Sequence, residues 1–121
     1  MATILVVDDD DQMRKMLRGA LERKGYTVIE AENGVSAMSL QRATPADLVI
    51  TDIIMPEKDG IDTMKELQVE FPDVKVIAIS GGKRGGPQNY LMLAEMYNAA
   101  RTFAKPFDLE EMLTAVEELL G

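Results

Sequence analysis

Four apolar runs in this chain end in residues that carry chemistry. Ile4-Leu5-Val6-Val7 stops at Asp8 and Asp9. Leu48-Val49-Ile50 stops at Thr51-Asp52, Val74-Lys75-Val76-Ile77-Ala78-Ile79 at Ser80, and Thr102-Phe103-Ala104 at Lys105. Carboxylates brought together repel, and some take up protons unless a cation compensates them. A hard divalent ion such as Mg²⁺ does so, using a few carboxylates, waters and phosphate oxygens. A lysine adds a point charge that pairs with a carboxylate or a phosphate. A serine hydroxyl can donate to a phosphoryl oxygen. Metal, cation and hydrogen-bond donors around spreading charge are the parts of phosphoryl transfer. An aspartate can itself be the nucleophile, forming an acyl phosphate.

These residues need a scaffold that brings strand ends together. The apolar runs, with a further one at residues 26–31, are rich in β-branched residues and read as buried strands. Helical spacing fills the gaps. Asp11 is the expected cap of a helix buried along Met13, Met16, Leu17, Ala20 and Leu21 and ended by Gly25. Asn33-Gly34 is turn chemistry before a helix with Val35, Met38 and Leu40, which ends before Pro45. Ile61, Met64, Leu67 and Val69 line a third helix, stopped by Phe71-Pro72. A fourth runs from Pro87 to about Asn98. Asp108 and Glu111 start a fifth, with Leu109, Met112, Leu113, Val116, Leu119 and Leu120 buried. The expected architecture is α/β: a doubly wound, five-stranded parallel sheet with five helices on its two faces. Ligands of such sheets bind beyond the carboxyl ends of the strands. There Asp8, Asp9, Asp52, Ser80 and Lys105 meet, while Glu30-Ala31-Glu32 falls to one side.

Composition narrows the chemistry. The 121 residues suit one domain. A net charge of −8 speaks against holding nucleic acid or an anionic membrane directly. With no cysteine and no histidine, the chain has no disulfide, thiolate, catalytic imidazole or zinc–cysteine site. A metal would be held by oxygen. No apolar run is long enough to span a bilayer, and Met1-Ala2-Thr3 leads into a strand without a signal-peptide pattern. The cytoplasm is the expected location.

The chain resembles the response-regulator receiver domains of two-component signalling. The resemblance rests on the runs ending in Asp8-Asp9 and Asp52, with Ile53-Ile54-Met55-Pro56 and Asp59-Gly60 after the latter. Val76 to Gly81 and Ala104-Lys105-Pro106-Phe107 complete it. Together the pieces cover nearly the whole chain. The resemblance implies a flavodoxin-like receiver over residues 1–121, like the single-domain chemotaxis regulators, with no output domain in the chain. It implies that Asp52 takes a phosphoryl group from a histidine kinase or histidine phosphotransfer protein. Mg²⁺ is then ligated by Asp9, Asp52 and the backbone carbonyl of Ile54, with Asp8 acting mainly through water. Lys105 and Ser80 contact the phosphoryl group and switch binding of a downstream protein. The Lys105-Pro106 peptide is expected to be cis. The chain is then no enzyme but a phosphoacceptor that assists its own phosphorylation and dephosphorylation. Receivers often have an aromatic residue three positions before the lysine; here Thr102 stands there and Phe103 follows.

Other readings compete. A Mg²⁺-dependent aspartyl phosphatase or phosphotransferase usually carries a second acid two residues after its nucleophile. Ile54 holds that place after Asp52, although Asp10 holds it after Asp8. A receiver-like interaction module that is never phosphorylated is the third reading. Asp10 and Asp11 alone read as a solvated, capping turn. The loop from Gly81 to Pro87 lacks the spacing of a P-loop. The segment around Tyr90, Leu91, Met92, Leu93, Met96 and Tyr97 has more apolar residues than one buried stripe needs. It is a candidate partner contact, or a dimer contact made on phosphorylation, as well as plain packing.

Loss of an acyl phosphate needs a water placed in line with it. The residues two after Asp52 and Ser80 are Ile54 and Gly82, whose side chains cannot hydrogen-bond that water. Slow self-dephosphorylation is therefore expected, and Ile54→Asn should change the decay rate of the phosphorylated protein. An unchanged rate, followed by intact-protein mass spectrometry, contradicts this account.

Overall fold

The alternation of residues along the strands divides the core in two. The computed structural model describes residues 2–53, 60–80 and 98–121. Its strands are β1 (Thr3–Val7), β2 (Thr27–Ala31), β3 (Leu48–Asp52), β4 (Lys75–Ser80) and β5 (Arg101–Ala104). Its helices, among the described residues, are α1 (Asp11–Arg23), α2 (Gly34–Ala43), α3 (Gly60–Glu70) and α4 (Leu109–Leu120). On one face Ile4, Val6, Ile50 and Ile77 pack with Leu17 and Leu21 of α1 and with Met112 and Val116 of α4. On the other, Leu5, Val7, Val49 and Ala78 pack with Met38 of α2 and with Met64 and Leu67 of α3. The strands are wholly parallel in the order β2-β1-β3-β4-β5. This is the doubly wound, flavodoxin-like sheet expected. The helix expected over residues 87–98 lies almost wholly outside the described residues.

Local chemistry sets the element ends. Gly25, just past α1, has φ 97°, the left-handed conformation that closes helices. The Asp108 carboxylate accepts from the amides of Glu110 and Glu111 and caps α4. The cap of α1 differs from expectation. Asp10, not Asp11, accepts from the amides of Gln12 and Met13. Four successive acids can each serve as a cap, and Asp11, the first helical residue, instead pairs with Arg14. Asn33 is likewise more than a turn residue: its side chain accepts from Ser36 and caps α2.

The expected buried stripes are narrower in fact. Val35 is 53% and Val69 82% exposed, and Met16 is exposed as well. Each lies at the margin of its apolar stripe, where rotation of a short helix decides between core and solvent.

The amino-terminal edge of the sheet is closed by backbone, amide and carboxylate groups, and Arg101 at the start of β5 pairs there with Glu118 of α4 at 3.1 Å. The Gln41 amide donates to the Ala46 carbonyl and accepts from the Ala46 amide, so a buried side chain completes a loop's hydrogen bonding. Thr3 donates its amide to the Asp47 carboxylate, and Lys75 donates its amide to the Asp47 carbonyl.

Leu17→Ala should destabilise the protein by about 3 kcal/mol, the cost of a cavity under a helix. Val69→Ala should change stability by less than about 0.5 kcal/mol. Urea unfolding of the two variants checks the assignment, and comparable losses would contradict it.

Candidate functional site

Chain order makes a crevice where β1 lies between β2 and β3. The path runs from β1 out to β2 and then back to β3, and a parallel sheet opens to ligands at such a reversal. Ladder bonds continue one residue beyond β1, β3 and β5 and hold the site residues at this edge. Asp8 donates its amide to Ala31, Ile53 to Ile79 and Lys105 to Ser80, at 3.1, 2.9 and 2.8 Å.

Within that frame the predicted residues converge. The Lys105 Nζ lies 2.9 Å from Asp52 Oδ2 and 3.0 Å from Asp8 Oδ2. Asp8 and Asp52 are buried, and the Lys105 side chain is 21% exposed. Asp9 is exposed at the rim. Asp8, Asp9 and Asp52 each offer a carboxylate oxygen within 4.8 Å of the others. Ser80 is fully buried at the end of β4, beside Ala104 in the ladder. The Lys105–Pro106 peptide is cis. Ile54 lies outside the described residues. Phe103 packs on the core, edge to face with Phe107 at a centroid distance of 6.1 Å.

The electrostatics follow from burial and pairing. Burial pushes the Asp8 carboxyl above the usual aspartate range and the charge of Asp52 adds to this, while the Asp10 amide and Lys105 oppose it. Burial works against the Lys105 ammonium, but its bonds to Asp52 and Asp8 outweigh that and raise its pKa above the usual lysine value. Three carboxylates against one ammonium leave an excess of negative charge in a concave edge. All the donors are oxygen, as hard divalent ions require. An ion with oxygens at ~2.1 Å holds opposite ones ~4.2 Å apart, which the spread of these three carboxylates accommodates. The residues present fit such an ion.

Sequence reasoning missed a second polar cluster behind the first. Arg14 of α1 is buried, with 10% of its side chain exposed. Its Nη1 donates to the Asp8 carbonyl at 2.8 Å, its Nε to Glu30 Oε1 at 3.0 Å, and its Nη2 to Asp11. Arg18 Nη1 donates to the other oxygen of Glu30 at 2.9 Å. The signal was present: Arg14 precedes Leu17 and Leu21 by three and seven residues, on the apolar stripe. A charge at that register needs a buried partner.

Comparison with known proteins agrees with this geometry. Residues 4–117 match the family described as response regulator receiver domain. The chain is 36% identical to the chemotaxis protein CheY of Bacillus subtilis, over 98% of this chain and 97% of that protein. It is also 36% identical, over 98% of its length, to the sensor kinase CckA of Brucella abortus, of which it spans only 12%. A receiver domain structure from Clostridium thermocellum superposes with a TM-score of 0.89 at 26% identity, covering 98% of this chain and 94% of that one.

Glu30 carries a pH signature. The hydrogen bond from Arg18, helped by Arg14 and opposed by burial, holds its pKa below the usual glutamate value. A depressed carboxyl stabilises the fold above its unfolded value near 4.5, and this is lost as pH falls through the native value. Glu30→Gln should therefore cost about 1 kcal/mol at pH 7. The gap from wild type should close as pH falls below the usual glutamate range. A gap independent of pH in urea titrations would contradict the pairing.

Proposed function

The chain belongs to the response regulator receiver domain family, and on that premise we propose that Asp52 accepts a phosphoryl group from a histidine kinase or histidine phosphotransfer protein. The observation that carries this reading is the Lys105 ammonium, bonded at once to Asp52 and Asp8 at the mouth of the sheet. An Asp52 oxygen forms a bond to phosphorus as the phosphorus–nitrogen bond of the donor breaks, and the donor imidazole leaves with the electron pair. Lys105 supplies positive charge to the transferred group, and Ser80, at the next strand end, is placed to donate a hydrogen bond.

Asp8, Asp9 and Asp52 would hold Mg²⁺, with the Ile54 carbonyl as a further ligand. Bound there, the ion supplies charge neutralisation for the phosphoryl oxygens. Burial keeps Asp8 and Asp52 out of bulk water, so each charge at this edge acts through a low dielectric.

The switch follows from the same contacts. A phosphoryl group on Asp52 adds charge where Lys105 now pairs with carboxylates. Lys105 and Ser80 are joined by a backbone hydrogen bond at 2.8 Å, so both ends of the response share one piece of backbone. Their rearrangement changes the surface that a downstream protein reads. The aspartyl phosphatase alternative loses support because Asp10, the acid two residues after Asp8, is engaged in capping α1.

Treatment with acetyl phosphate should add one labile phosphoryl group in the presence of Mg²⁺ and none in chelator or in Asp52→Asn. Intact-protein mass spectrometry reads this directly. A wild-type protein that binds Mg²⁺, stays folded and gains nothing would overturn the reading in favour of an unphosphorylated interaction module.

A further inference from the structure

We infer that Arg14, braced by Glu30, is a positioning residue for the acidic pocket: it pins the peptide between Asp8 and Asp9 so that both carboxylates face one cation. The inference rests on the proposed Mg²⁺ site and concerns residues that do not themselves touch the ion.

Besides the Lys105 bond to its Oδ2 at 3.0 Å, Asp8 is held on two sides without Arg14. Its amide donates to Ala31, and its Oδ1 accepts from the Asp10 amide at 2.9 Å. Its carbonyl points the other way, into α1, where Arg14 Nη1 meets it at 2.8 Å. That carbonyl belongs to the peptide leading to Asp9, so its direction sets where the exposed Asp9 side chain starts. The guanidinium is planar, and its fork fixes direction as well as distance. Glu30 takes the Nε and Asp11 takes the Nη2, so the fork cannot turn away from the carbonyl.

The arrangement is costly by itself. A methionine at this place on the stripe would pack beside Leu17 without drawing a charge out of water. The buried guanidinium instead ties the ends of β1 and β2 to α1 at the point where two metal-binding carboxylates leave the strand.

Charge and position predict opposite results, which makes the inference testable. Arg14 is a cation near an acidic pocket. If only its charge mattered, Arg14→Met would tighten Mg²⁺ binding and Arg14→Lys would leave it unchanged. If it positions Asp8 and Asp9, both variants weaken binding, because neither keeps the fork. Titration of the full chain with MgCl₂ by calorimetry reads the affinity, and circular dichroism follows folding. We expect both variants to bind Mg²⁺ about tenfold more weakly, the lower range for residues that orient metal ligands. Leu113→Ala, a core change in α4, serves as a control for general loosening and should bind as wild type does. The lysine variant carries the test should the methionine variant fail to fold. An Arg14→Lys affinity equal to that of wild type overturns the inference, and so does an equal loss in Leu113→Ala. Absence of Mg²⁺ binding by the wild-type protein overturns the metal reading itself and this inference with it.

Discussion

Lys105 reaches from the end of β5 to two carboxylates that stand 97 and 53 residues away in the chain. Without its ammonium, Asp8 and Asp52 would face each other as buried like charges at the ends of adjacent strands. That arrangement is destabilising in a low dielectric. The pairing offsets that repulsion and lets the two acids stand close together. It also sets a limit: one ammonium balances one charge, and the third carboxylate, Asp9, leaves the edge short of positive charge. A site so poised favours any arriving cation.

The parallel sheet is what allows the pairing. β1, β3 and β4 are buried on both faces over most of their length and carry no polar side chain until they end, apart from Thr3 and Lys75 at their starts and Thr51. Polar residues are admitted where the ladder runs out and the crevice begins. The division of the core into two faces has a parallel consequence. α1 and α4 share one layer while α2 and α3 share the other. The helix that carries Arg14 thus sits on the same face as the helix that follows Lys105.

Much of this was legible in the sequence because apolar runs that stop at charged residues are a strong local signal. Asp8, Asp9, Asp52, Ser80 and Lys105 could be assigned to one edge once the strands were read as parallel. What was not legible depended on rotation and on partners. Asp10 and Asp11 are chemically alike, and the choice of cap turns on Arg14, whose place on the apolar stripe calls for a buried partner without saying which acid supplies it. Val35 and Val69 have the right type for a core, but short helices place margin residues by a few tens of degrees. Glu30 read as a bystander because its partners, Arg14 and Arg18 of the neighbouring α1, stand 16 and 12 residues back in the chain, and nothing beside it in sequence names them.

The two edges of the sheet differ in how deeply their charges lie: the Arg101–Glu118 pair at the amino-terminal edge is exposed, while the pairs of Lys105 are buried. At the amino-terminal edge Gln41 completes the hydrogen bonds of Ala46, and backbone amides meet at Asp47. At the other edge ammonium, guanidinium and carboxylates do the joining. Water screens an exposed pair from an added charge, whereas a buried pair feels it through a low dielectric. The domain therefore behaves like a hinge plate with one leaf in water: a change of charge in the crevice is felt among the buried pairs at one end and screened at the other.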